Sequence, residues 1–222
     1  LIPQDTPVVF VVDDDISVRD ALEALIRSAG WHPISFENAE QFLTLPSWAG
    51  PSCLVLDVNL PNLDGLELQE YVSRHQVTLP IIFLTGYGDI PTTVRAMKAG
   101  AVEFLTKPVD GEVMLEAMKQ ALLTSRKSIA SEEELQLLRG RHTALSHREQ
   151  EVMALIVAGL LNKQVAYELG ISEVTVKVHR ARVMSKMGAR SLPDLVLMAA
   201  RLGVERTVRH SEPASKDRPA AN

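Results

Sequence analysis

The chain of 222 residues has a single cysteine, Cys53. No internal disulfide can form, and no cluster of histidine and cysteine offers a zinc site. Cys53 lies in the apolar run CLVL, which marks it as a small core residue. Long apolar runs are missing too: no stretch approaches the ~20 residues that a membrane-spanning helix needs. The opening LIPQDTP lacks the basic and apolar regions of a signal peptide, so the chain is expected to be cytoplasmic, with no membrane partner. Charge is plentiful and unevenly placed. Residues 1–125 hold 17 acidic against 7 basic side chains, a balance of −10, whereas residues 143–203 hold 5 against 8, a balance of +3. An acidic half followed by a basic half points to two domains with different partners.

In the first half, apolar strands alternate with helices. VVFVV, HPISF, CLVLD, LPIIFLTG and AVEFLTKP read as strands, and the unbroken apolar runs suit strands covered on both faces. SVRDALEALIRSAG places Val18, Leu22, Leu25 and Ile26 on one helical face, with Gly30 as a left-handed stop. AEQFLTL, LDGLELQEYVSRH, PTTVRAMKAG and the long DGEVMLEAMKQALLTSRK supply four more helices. Five βα repeats in about 120 residues predict an α/β fold, a doubly wound five-stranded parallel sheet.

Ligands bind such a sheet at the carboxyl ends of its strands. Those ends carry Asp13, Asp14 and Asp15, then Asp57, then Thr85 and Gly86, and finally Thr106, Lys107 and Pro108. Adjacent carboxylates repel, and a hard cation would neutralise them. Asp13 and Asp14 with Asp57 suit Mg²⁺, with Mn²⁺ as a substitute. A carboxylate such as Asp57 can also attack phosphorus, with Lys107 and the Thr85 hydroxyl stabilising the equatorial oxygens. Gly86 leaves room for the phosphoryl group. Asp15 reads as solvent-facing, and Asp64 as part of the turn NLDG.

VVDDD, LVLDVNLPNLDGLEL, FLTGYGD and FLTKP together resemble the receiver domain of two-component response regulators, over residues 6–125. GDIPTTVRAMKAGAVEFLTKP is most similar to the FixJ-like subfamily. The resemblance implies that Asp57 is the phosphoacceptor and that Asp13 and Asp14 are the acid pair. It adds the Asn59 backbone carbonyl as a metal ligand, a cis bond between Lys107 and Pro108, and a switch pairing Thr85 with Phe104. Phe104 also suits a plain core position. Asn59 and Tyr87 stand where the family tunes the lifetime of the phosphoryl group.

SRKSIASEEELQLLRGRH reads as a helical extension with Gly140 as its first breaker, so residues 126–142 are expected to be a helical linker. Four helices follow. Ser146 and Glu149 form a capping box, Gly159 and Gly170 end the first two helices, Ser172 and Gly188 bound the third, and Ser191 with Pro193 starts the fourth. Two short helices joined by a turn containing glycine are a helix-turn-helix signature. The third helix puts Val176, Val183 and Met187 on one face, and Lys177, Val178, Ala181, Arg182 and Ser185 on the other. A face of cations among small residues can approach a major groove. His179 is expected to be packed and hydrogen-bonded, and Arg180 to touch phosphate or lie along the surface.

LSHREQEVMALIVAGLLNKQVAYELGISEVTVKVHR resembles the LuxR/NarL-type effector domain, so residues 143–204 are expected to be an all-α DNA-binding domain. The resemblance places Lys177 and Val178 near bases, and Thr175 and Lys163 near phosphates. Arg182 joins them from the charged face. Residues 205–222 are polar and proline-bearing, hence expected to be disordered. The whole reads as a transcriptional response regulator, phosphorylated on Asp57 by a sensor histidine kinase. It is expected to transfer phosphoryl groups only to itself and to hydrolyse them slowly. Phosphorylation is expected to favour a homodimer on promoter DNA, with RNA polymerase as a further partner. Val94, Arg95, Lys98, Glu103 and Glu112 are its expected receiver contact, and Leu195, Val196 and Ala199 a second one. The alternative is a stand-alone Mg²⁺-dependent phosphohydrolase, which the lack of a separate general acid or base disfavours.

Overall fold

The computed structural model describes residues 6–45, 48–61, 64–75, 79–86 and 90–204. Tyr87, the first residues of the chain and the tail 205–222 lie outside them. The chain divides into two compact units between Glu132 and Glu133.

The first unit is a five-stranded parallel sheet in the order β2-β1-β3-β4-β5. Its strands are β1 (Val8–Val12), β2 (His32–Phe36), β3 (Ser52–Asp57), β4 (Ile81–Thr85) and β5 (Glu103–Thr106). The helices are α1 (Ile16–Ser28), α2 (Ala39–Leu43), α3 (Gly65–His75), α4 (Ile90–Lys98) and α5 (Gly111–Thr143). Every residue of β1, β3 and β4 is buried, whereas the edge strands β2 and β5 are only partly covered. Side chains alternate between two cores, as the period of two requires. Val8, Phe10, Val12, Leu54 and Leu56 pack with Phe42, Leu68, Val72 and Ala96. Val9, Val11, Cys53, Val55 and Ile82 pack with Leu22, Ile26, Met114 and Met118 on the other face. Cys53 is thus a core residue, and burial pushes its thiol pKa up. Gly30 and Gly100 have positive φ, 77° and 93°, just past α1 and α4.

In the second unit the end of α5 is joined by α6 (His147–Val157), α7 (Asn162–Leu169), α8 (Glu173–Met187) and α9 (Leu192–Arg201). Ser146 caps α6 in a full capping box with Glu149, and Ser172 and Ser191 cap α8 and α9. Val152, Met153, Ile156, Val165, Val176, Val183 and Met187 form the core. The helical extension expected over residues 126–142 is present, and it passes Gly140 without a break: α5 runs on to Thr143. One glycine costs a helix only about 1 kcal/mol, and residues 133–143 are held within the second unit. There Arg141 donates to the Met187 carbonyl at 3.1 Å, and Arg201 pairs with Glu134 at 2.8 Å. One expectation is corrected: Leu195 and Ala199 are not offered to a second copy, since both are buried in their own unit's core. Among the described residues no helix is long and apolar enough to cross a membrane.

Candidate functional site

The parallel strands bring Asp13, Asp57, Thr85 and Lys107 to one edge of the sheet because β1, β3 and β4 run in register. Val12 lies beside Leu56, and Asp57 beside Leu84. Asp13, Asp57 and Thr85 are buried, at 1%, 6% and 0% exposure, while Asp14 is exposed. Carboxylate oxygens of Asp13, Asp14 and Asp57 lie within 4.8 Å of one another. Lys107 Nζ donates to Asp13 Oδ2 and to Asp57 Oδ2, each at 2.6 Å. Burial raises the Asp13 carboxyl above its usual pKa, against the opposing hydrogen bond from Lys107. For Lys107 burial works against the charge, yet the hydrogen bonds to Asp13 and Asp57 outweigh it and hold the ammonium above its usual value.

The backbone around these groups is held in place. Asp13 Oδ1 accepts from the Asp15 amide at 3.0 Å, and Asp57 Oδ1 from the Asn59 amide at 3.0 Å. Arg19 donates to the carbonyls of Asp13 and Asp14 at 2.7 and 3.0 Å. The Lys107 amide donates to the Thr85 carbonyl at 2.7 Å, tying the ends of β4 and β5 together. The peptide bond from Lys107 to Pro108 is cis. Phe104 is half-buried, its ring centroid 6.0 Å from that of Phe83. Asp14, Asn59, Asp64, Thr92 and Arg95 line an open cleft beside the carboxylates.

Two contributors were not read from the sequence. Asp15 is the N-cap of α1, accepting from the Ser17 amide at 2.8 Å; its place just before an amphipathic run was a signal for this. Gly65 starts α3 against the end of β3. A Cβ there would stand 2.5 Å from the Asp57 carbonyl oxygen and 3.0 Å from the Val58 Cα. Only glycine permits this approach, and nothing local in the sequence signals it.

In the second unit the outer face of α8 carries Lys177, Val178 and Arg182, all exposed, and Lys163 is exposed on α7. Lys177 lies 3.7 Å from Glu173. Thr175 is half-buried, its hydroxyl 2.8 Å from that of Ser172. Arg180 donates to Asn162 Oδ1 at 3.3 Å, linking α8 to α7. His179 is packed as expected, but its buried Nδ1 has no hydrogen-bond partner among the described residues. Glu149, 3% exposed, accepts from Lys186 Nζ at 2.7 Å. That hydrogen bond, with the one from the Ser146 amide, lowers its pKa from the usual 4.5 to about 2.

Comparison with known families matches residues 9–119 to the response regulator receiver domain and residues 143–199 to the bacterial regulatory proteins of the luxR family. Nodulation protein W of Bradyrhizobium diazoefficiens is 48% identical over 207 residues, covering 92% of this chain and 89% of that protein. The transcriptional regulatory protein FixJ of the same species is 41% identical, covering 88% of this chain and 96% of its own. Among solved structures, the response regulator StyR aligns over 88% of this chain and 99% of its own, with a TM-score of 0.76 and 46% identity.

Proposed function

The chain belongs to the response regulators that join a receiver domain to a luxR-family DNA-binding domain, and on that footing we propose that Asp57 is the residue through which it is switched. Its relatives are transcriptional regulators, which favours this reading over a stand-alone phosphohydrolase. The observation that carries the proposal is the convergence of Asp13, Asp14 and Asp57 within 4.8 Å, with Lys107 at 2.6 Å from two of them.

An Asp57 carboxylate oxygen attacks the phosphorus of a phosphohistidine on a sensor kinase. The P–O bond forms as the P–N bond breaks, and the departing imidazole takes up a proton. Lys107 leaves its pairing with Asp57 to hold a phosphoryl oxygen, and the Thr85 hydroxyl turns to donate to another. The donor set is all oxygen and mostly anionic, which fits Mg²⁺ or Mn²⁺. Asp13, Asp14, Asp57 and the Asn59 carbonyl would hold the ion, which supplies charge neutralisation to the phosphoryl oxygens. Among the described residues at the site no separate base stands ready to activate water, so self-dephosphorylation is slow. Phe104 follows Thr85 and reshapes the α4–β5 surface for pairing with a second copy. The second unit then binds promoter DNA in the cytoplasm, in reach of RNA polymerase. Lys163 and Thr175 face phosphates, and Lys177, Val178 and Arg182 enter the major groove. Asp57→Asn replaces the nucleophile by an amide. Incubated with phosphoramidate and Mg²⁺, the full-length variant is expected to incorporate no acid-labile phosphate, and incorporation at the wild-type level overturns the assignment.

A further inference from the structure

Arg19 is bound into the turn that carries Asp13 and Asp14. It belongs to the first turn of α1 and is half-buried. Helical side chains lean toward the N-terminus of their helix, so this one reaches back over the start of α1. A single guanidinium nitrogen, Nη1, donates to both the Asp13 and the Asp14 carbonyl, at 2.7 and 3.0 Å. On helical grounds the place is poor for a cation, because the dipole of α1 is positive at that end. Glu23, one turn further along α1, accepts from Arg27 and Ser35 rather than from Arg19. What the guanidinium gains is the turn itself. Asp13 is held there independently, since its carboxylate accepts from the Asp15 amide and from Lys107. Asp14 is exposed, and among the described residues no donor reaches its carboxylate. Its place in the cluster therefore depends on its backbone, which Arg19 grips at the carbonyl. The carboxylates of Asp13, Asp14 and Asp57, within 4.8 Å of one another, repel and push that backbone outward.

We propose that Arg19 is a positioning residue for the divalent cation: by clamping the Asp13 and Asp14 carbonyls it keeps the Asp14 carboxylate at the cluster against that repulsion, and so sets the affinity of the site for Mg²⁺. The inference rests on the reading of Asp13, Asp14 and Asp57 as the residues that hold the ion. It adds a residue that touches neither the ion nor the phosphoryl group and acts through the backbone of two that do.

The test uses the full-length chain and two variants, Arg19→Met and Arg19→Lys. Mn²⁺ binding is followed without any phosphodonor, by loss of the free ion's electron paramagnetic resonance signal. Groups that orient metal ligands are worth tenfold or more in affinity, so Arg19→Met is expected to bind Mn²⁺ about tenfold more weakly. In labelling by phosphoramidate, the half-saturating Mg²⁺ concentration is expected to rise by the same factor, with the rate at saturating Mg²⁺ nearly unchanged. Arg19→Lys is expected to recover part of the loss, because one ammonium can also donate to two carbonyls. Melting without metal is expected to be the same in all three proteins. Equal Mn²⁺ affinity in wild type and Arg19→Met, or a loss confined to the saturating rate, overturns the inference and leaves the cation site standing. So does a weakening that Lys does not relieve and that follows a fall in the metal-free melting temperature, since that marks Arg19 as a support of the fold alone. Wild-type protein that binds no Mn²⁺ and is labelled equally well without Mg²⁺ overturns the cation site and the inference together.

Discussion

At the scale of single residues, two buried carboxylates meet opposite fates because of their partners. Asp13 shares Lys107 with Asp57, and burial outweighs the one lysine that both use, so its pKa rises. Glu149 accepts from both Lys186 and the Ser146 amide, with no second carboxylate on that lysine, and its pKa falls to about 2. A carboxyl whose folded pKa lies below its usual 4.5 stabilises the fold above pH 4.5. That contribution is lost as pH falls from 4.5 through about 2. A titration of the Glu149 side-chain carbon by NMR is expected to show a midpoint near 2 in the wild type and a higher one in Lys186→Met, where the Ser146 amide alone remains. A wild-type midpoint near 4.5 would mean that the ion pair does not form in solution.

At the scale of elements, α5 departs furthest from what local rules suggest. It spans 33 residues and passes through Gly140 without a break. A Cβ at Gly140 would meet no atom within 4 Å. Alanine there should remove the entropy cost of glycine without adding a clash, for a gain of up to about 1 kcal/mol. Amide exchange in residues 136–144 is therefore expected to slow up to about fivefold in Gly140→Ala. Faster exchange would show that glycine is needed there. Where α9 is concerned, Leu195 and Ala199 are spent on the core, which leaves Val196 and Leu197, at 38% and 67% exposure, as its outward apolar side chains.

At the scale of the whole molecule, the proposed switch acts by assembly. Ile90, Val94 and Met97 form an exposed apolar row on α4, at 80%, 43% and 43% exposure. Arg95, Lys98, Glu103 and Glu112 around them are exposed and of both signs, which suits a two-fold self-contact. Pairing two receivers raises the effective concentration of two DNA-binding units at adjacent half-sites. Phosphorylation is expected to shift the chain from monomer to dimer in sedimentation at equal concentration, and Thr85→Ala to weaken the shift. An unchanged mass, together with phosphorylation-enhanced DNA binding, would replace dimerisation by release of an inhibitory contact.

The sequence by itself determined the two-domain order, the parallel sheet, the caps of α6, α8 and α9, and the convergence of Asp13, Asp14, Asp57, Thr85 and Lys107. Each follows from a local signal: a hydrophobic period, a cap before an apolar run, or a strand end in a sheet whose strands all point one way. The tertiary structure alone decided which side chains bond to one another across long separations. Lys107 bridges Asp13 and Asp57 across 94 and 50 positions, and Lys186 reaches Glu149 across 37. It also decided that Gly65 must lack a side chain, since the atom that forbids one belongs to the Asp57 backbone. Periodicity shows that Leu195 and Ala199 share a face, but not what covers that face. Packing settles this, because an apolar stripe is satisfied equally by its own core or by a second copy, and here its own core lies against it.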